Sequence, residues 1–176
     1  MCNACHSTYS DLAYGAQGIQ YFTYWTPVDT TWKFNHGPIT ADGKRTEVYD
    51  RIKLVNSEIK SLSPVFLGAK VISVGHTGKN IPIGTKPLIT LPPSIQSLET
   101  EGTGAIVSHL QNGSKSYLVI VNRDFKRPMK LKILCDPQVK IVRKDGTLVP
   151  ASTYIDTLEV EAGDIFILKL PTLISR

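Results

Sequence analysis

From Ala105 onward the chain takes up a period of two, and that pattern limits the fold more than any other feature. Runs at Ala105–Leu110, Ser116–Val121, Pro128–Leu134, Val139–Arg143, Ile155–Val160 and Asp164–Leu170 are short and rich in residues that suit strands. Turn signals separate them: Asn112-Gly113, Asn122-Arg-Asp124, Asp145-Gly146 and Ala162-Gly163-Asp164. Asn-Gly and Asp-Gly supply the positive φ that two-residue hairpins require, so hairpins are expected at both. Strands at this spacing predict an antiparallel sandwich or barrel-like β domain over residues 103–176.

The chain ahead of that region follows a different rhythm. Residues from about Cys2 to Ala13 fit a helix, with Gly15 and Gly18 supplying a left-handed stop. Ile19–Trp25 is nearly all apolar, β-branched and aromatic, which predicts a strand buried on both faces, as in a parallel sheet. Alternation would place Ile19, Tyr21, Thr23 and Trp25 on one face and Gln20, Phe22 and Tyr24 on the other. A polar loop runs from Pro27 to Gly43. Val48, Ile52, Val55, Ile59 and Leu62 then form one apolar stripe at helical spacing, and Pro64 is expected to end that helix. Residues 67–102 read as a Pro/Gly-punctuated connector with short strands, including Lys70–Val74 and Leu88–Leu91. One strand, one loop and one helix cannot cover their own apolar faces, because a lone strand has two unpaired edges. Those faces must pack on the β domain or on a second copy of the chain.

Charge and composition narrow the function classes. The net charge is +5 over 176 residues, but the basic residues are spread among apolar and acidic ones and form no dense run. That argues against a nucleic-acid partner. No apolar run approaches the about 20 residues that span a bilayer, and no basic-then-apolar leader opens the chain, so neither a membrane partner nor a signal peptide is expected. Localisation is left open.

Cys2-Asn-Ala-Cys5-His6 matches the C-x-x-C-H pattern of c-type haem attachment. The motif abuts the first residue, no export signal accompanies it and no haem-sized helical domain follows. The same residues fit a helix, in which Cys2 and Cys5 share a face. Cys135 is remote and a fourth ligand is missing, so zinc fits poorly too. No cofactor and no metal are expected.

Several segments together resemble one family. Leu12-Ala-Tyr-Gly15, Gly18-Ile-Gln-Tyr-Phe-Thr-Tyr-Trp-Thr-Pro27, Asp42-Gly43 with Thr46-Glu47, and the helix Val48–Leu62 resemble the last βα unit of β-galactosidase-like (β/α)8-barrel glycoside hydrolases. Tyr117-Leu-Val-Ile-Val-Asn-Arg-Asp124 through Lys144-Asp-Gly146 and Ala162-Gly-Asp164 resemble the small β-sandwich that caps such enzymes. The resemblance implies a chain that is α+β by content. One βα unit from the end of a (β/α)8 barrel occupies residues 1–66, the connector 67–102, and a small antiparallel β-sandwich residues 103–176.

For chemistry, the resemblance implies mostly absence. Such enzymes place two carboxylates across the glycosidic bond, at the ends of the fourth and seventh strands, both N-terminal to anything in this sequence. Glu47, Asp50, Glu99, Glu101, Glu159 and Glu161 stand on an expected helix face, in the connector or in turns, and make poor substitutes. No catalytic residue is assigned. One wall of a sugar pocket is what the resemblance implies instead. Barrel sites lie at the C-terminal strand ends, so Trp25 is the leading sugar-binding candidate, with a packing role closing the barrel top as the alternative. Tyr24 is a further candidate, and Trp32 and His36 in the next loop would rim the cleft. The resulting expectation is a C-terminal fragment of a glycoside hydrolase, inactive alone, with carbohydrate as a weak or vestigial partner and self-association through exposed barrel faces. The parent enzymes of such fragments are often exported. The alternative is a non-catalytic carbohydrate-binding or scaffolding β domain.

Overall fold

Tyr9, Leu12 and Ala13 recur at helical spacing and are all buried on one face of α1, Asn3–Ala13. This computed structural model describes residues 3–28, 31 and 37–172, with side chains from Thr8 onward. Gly15, at φ +92°, turns the chain out of α1, where a Cβ would also strike Val71. Gly18 shows no such conformation. The expected helix forms as α2, Glu47–Ser61, and Pro64 does not stop it outright. Pro64 occupies the first turn of a further short helix, α3, Ser63–Phe66, where its missing N–H costs nothing.

The segment expected as the strand Ile19–Trp25 is not a strand. Within it only Trp25 makes a bridge, with Ile39, and no (β/α)8 barrel is present among the described residues. The physical reason is the one anticipated for a lone strand: among the described residues a neighbouring segment, at Ile39, takes backbone hydrogen bonds only at the far end of this one. Part of the alternation survives: Ile19, Tyr21 and Thr23 are half-buried, while Gln20, Phe22 and Tyr24 are exposed. The segment runs along the helical layer, with Ile19 packed on the core and the Tyr21 hydroxyl donating to Asn56 Oδ1 on α2 at 2.9 Å.

Among the described residues nine strands follow: β1 Lys70–His76, β2 Ile95–Thr100, β3 Ala105–Asn112, β4 Lys115–Asn122, β5 Met129–Cys135, β6 Lys140–Val142, β7 Leu148–Pro150, β8 Tyr154–Val160 and β9 Ile165–Leu170. All pairings between them are antiparallel. One sheet has six strands in the order β1-β3-β4-β9-β6-β7, and the other has three in the order β2-β5-β8. The Asn112-Gly113 pair closes the β3–β4 hairpin, with Gly113 at φ +58°, and Asp145-Gly146 closes β6–β7. The connector contributes more than short strands in isolation. Its β1 forms an edge of the six-stranded sheet against β3, and its β2 pairs with β5. The stretch Leu88–Leu91 is not a strand; Leu88 and Leu91 instead pack against the core.

Period two sorts the strands onto two cores. Ala105, Val107, Leu118, Ile120, Leu168 and Leu170 face the three-stranded sheet and meet Ile95, Met129, Leu131 and Ile133. Ile106, Leu110, Tyr117, Val119, Val121 and Ile167 face the other way and meet Tyr9, Leu12, Leu62, Val65 and Phe66. The molecule is therefore three layers deep: helices, six-stranded sheet, three-stranded sheet. The central strand β4 is buried on both faces, which is why Tyr117–Val121 is apolar but for the Tyr117 hydroxyl.

Candidate functional site

The loop around Trp25 is built by short-range hydrogen bonding rather than by a barrel. Thr26 N donates to Ile39 O at 2.9 Å, and Ile39 N donates to Tyr24 O at 3.1 Å, which lays the two segments side by side. Gly37 permits that approach, since a Cβ there would lie 2.5 Å from Thr26 Oγ1. A tight turn follows, in which Thr40 N donates to Lys44 O and Gly43 takes φ +82°. Thr40 and Lys44 bond to the Asp42 carboxylate between them, and with Lys44 the larger influence they hold its pKa below the usual carboxylate value. The turn presents Ala41 O, which accepts the indole N–H of Trp25 at 3.4 Å. At the start of α2, the Thr46 hydroxyl does not cap the helix but donates to Gly37 O and Pro38 O, tying the loop to α2.

Trp25 is 46% exposed and Tyr24 63%. The two candidates stand next to each other at the head of this loop, not at the end of a strand. Trp32 and His36 lie outside the described residues. The acids weighed as substitutes for a catalytic pair are dispersed. Glu47 pairs with Arg51 on α2 at 3.0 Å, Glu101 lies 3.9 Å from Lys130, and Glu99 and Glu159 sit on β2 and β8, on either side of β5. Among the described residues no group of His, Cys, Asp and Glu side chains is arranged to hold a metal ion, and no helix is long and apolar enough to cross a membrane.

A second polar cluster went unassigned at the level of sequence. His76, at the end of β1, receives Tyr14 from the end of α1, with Oη and Nε2 2.6 Å apart. Arg123, just past β4, approaches His76 Nδ1 at 3.5 Å and donates to the carbonyls of Asn80, Thr77 and Thr103. Its Nε is buried without a hydrogen-bond partner among the described residues. Burial first, and then the Arg123 charge, push the His76 pKa below its ordinary value, so the ring is neutral at pH 7. The cluster carries no carboxylate, so it is a fastening of carbonyls and an imidazole around a guanidinium. Residues 14, 76 and 123 are too far apart in sequence for any local pattern to join them. No protein-family model, no curated protein and no solved structure matches this chain.

Proposed function

We propose that this chain is the C-terminal part of a β-galactosidase-like glycoside hydrolase, that it contributes one wall of a sugar-binding site through Trp25, and that it hydrolyses no glycoside by itself. The observation that carries the reading is the half-exposed indole of Trp25, fastened through Ala41 O with its loop tied to α2. An indole so held can stack on the C–H face of a pyranose, with Tyr24 beside it. The Leu12–Pro27 and Val48–Leu62 segments, which carry the family resemblance, bracket this loop along the sequence.

The test is twofold. Incubated with aryl galactoside, glucoside, fucoside and arabinoside, the purified chain is expected to give no turnover above buffer. Turnover abolished by changing one carboxylate within the chain would overturn the placement. Sugar binding, followed by affinity electrophoresis, is expected to be lost on Trp25→Ala with the thermal midpoint unchanged.

A carbohydrate-binding or scaffolding β domain is the second reading. It is favoured by polar side chains, His109, Gln111 and Ser116, on the strand phase of β3 and β4 that faces the three-stranded sheet.

A further inference from the structure

Along β3, Ala105 and Val107 point between the sheets, so His109 and Gln111, two and four residues on, continue the same face. Along β4, Ser116 precedes Leu118 and Ile120 in the same phase. Lys70 on β1 stands opposite Gln111, Gln111 opposite Ser116, and Ser116 opposite Leu170 on β9, so one transverse row crosses the six-stranded sheet near that end. The apolar seam between the sheets thus becomes polar at one end. A seam that closed there would strand those groups away from water, at a cost of about 1–3 kcal/mol for each left unsatisfied. It does not close. A cavity of about 440 Å³ opens there, bounded on the far side by Pro92, Pro93, Ser94 and Asp136. That volume falls within the roughly 300–1,000 Å³ of small-molecule sites.

We infer that the open end of the two sheets is a binding cavity for a small neutral polyhydroxyl ligand of mono- or disaccharide size. Among the described residues that line it, Asp136 is the one carboxylate and there is no Lys or Arg, so the lining itself favours a neutral ligand over a phosphate or carboxylate, although Lys70 stands opposite Gln111 on the neighbouring strand. His109 is held neutral by burial, and its Nε2 lies 2.7 Å from Ser116 Oγ. Asp136 Oδ1 accepts from Gln96 Nε2, which holds the carboxylate in place as an acceptor for hydroxyl donors. Ser116, Gln111 and His109 supply mixed donors and acceptors on one wall. Pro92, Pro93 and Leu170 offer apolar surface to ring C–H groups. The His109–Ser116 pair is assigned here as a binding element. The choice of a saccharide rests on the carbohydrate reading above, whereas the cavity does not.

The experiment is an amide-resolved NMR titration of the full chain with galactose, glucose, arabinose and lactose. Saturable shifts are expected at His109, Gln111, Ser116 and Asp136 with at least one of these sugars. Two exposed substitutions, Gln111→Ala and Ser114→Trp at the mouth, are expected to weaken that binding about tenfold or more, and both should leave the rest of the spectrum in place. Shifts confined to Tyr24 and Trp25 would overturn the cavity and leave the Trp25 reading standing. Shifts at neither place would overturn the cavity. Binding unchanged in both variants would overturn it too.

Discussion

Asn122 shows how much one buried amide can organise. Its Nδ2 is shared among the carbonyls of Arg127, Val160 and Glu161, and its Oδ1 accepts from Asp124 N, so one side chain ends β4 and secures the two turns beside it. Asn122→Ala removes these bonds, leaving Glu161 O with Asp164 N, and is expected to cost about 2–3 kcal/mol in urea unfolding. Asn122→Asp, which sets a carboxylate among carbonyls, is expected to cost more. Neighbouring Asp124 is pulled down to about 2, chiefly by the Lys126 backbone N–H and further by Thr103 and Arg127. Its contribution is present above the unfolded value and is lost as pH falls from about 4 towards 2. His76 acts at milder pH. Its folded pKa lies below the unfolded value of about 6.5, so the unfolded chain binds more protons and stability falls as pH drops below that value. The thermal midpoint is expected to fall between about pH 7.5 and about pH 5.5, and less steeply in His76→Gln. His109, whose pKa burial also lowers, would account for the remaining slope. An unchanged slope in that variant would remove His76 from this account.

At the scale of elements, α2 is the instructive case. Its stripe predicted a helix that must bury one face, and the face it buries is narrow. Val55 is buried and Ile59 packs on the helical core, while Val48 and Ile52 are only half-covered and Leu54 is 61% exposed. Polar contacts add to that hold. Lys144, beyond β6, reaches Asp164 at 2.7 Å and Glu58 of α2 at 3.4 Å, and Tyr9 of α1 donates to the same glutamate. Burial opposes the Lys144 charge, but the two carboxylates outweigh it and raise its pKa. Leu62, fully buried where α2 passes into α3, is expected to cost about 2–5 kcal/mol on truncation to Ala. Leu54→Ala is expected to stay within about 0.5 kcal/mol. Chemical denaturation of the two variants separates them, and equal losses would mean that α2 does not pack as described.

Over the whole molecule, the helices and both sheets share the six-stranded sheet as their middle layer, so they are expected to unfold together. The segment through Trp25 is held differently, by Ile19, by one tyrosine hydroxyl and by backbone contacts to Ile39. Few buried apolar contacts mean a low local unfolding free energy. Because both tryptophans, Trp25 and Trp32, lie in the first 32 residues, intrinsic fluorescence reports on this region, while far-UV circular dichroism is dominated by the sheets. The fluorescence transition is expected at lower urea than the dichroism transition. Coincident transitions would show that the Trp25 loop belongs to the cooperative core.

What the sequence determined by itself is what depends on neighbours within a few residues. Period two placed β3, β4, β5, β6, β8 and β9, a helical stripe placed α2, and Asn112-Gly113 and Asp145-Gly146 placed two hairpins, because side-chain alternation and positive φ are local requirements. It also carried an unused signal, polar residues at 109, 111 and 116 in an inward strand phase. The three-residue strand β7 escaped notice because so short a run has no periodicity to read. Tertiary structure alone decided the rest. Ile19–Trp25 has the composition of a strand, yet a strand exists only where another strand supplies its hydrogen bonds, and here none does. For the same reason β1 and β2, in a stretch that reads as a connector, become sheet members once β3 and β5 lie alongside them. The meeting of Tyr14, His76 and Arg123 belongs to this second class, since only packing brings together residues so far apart in the chain.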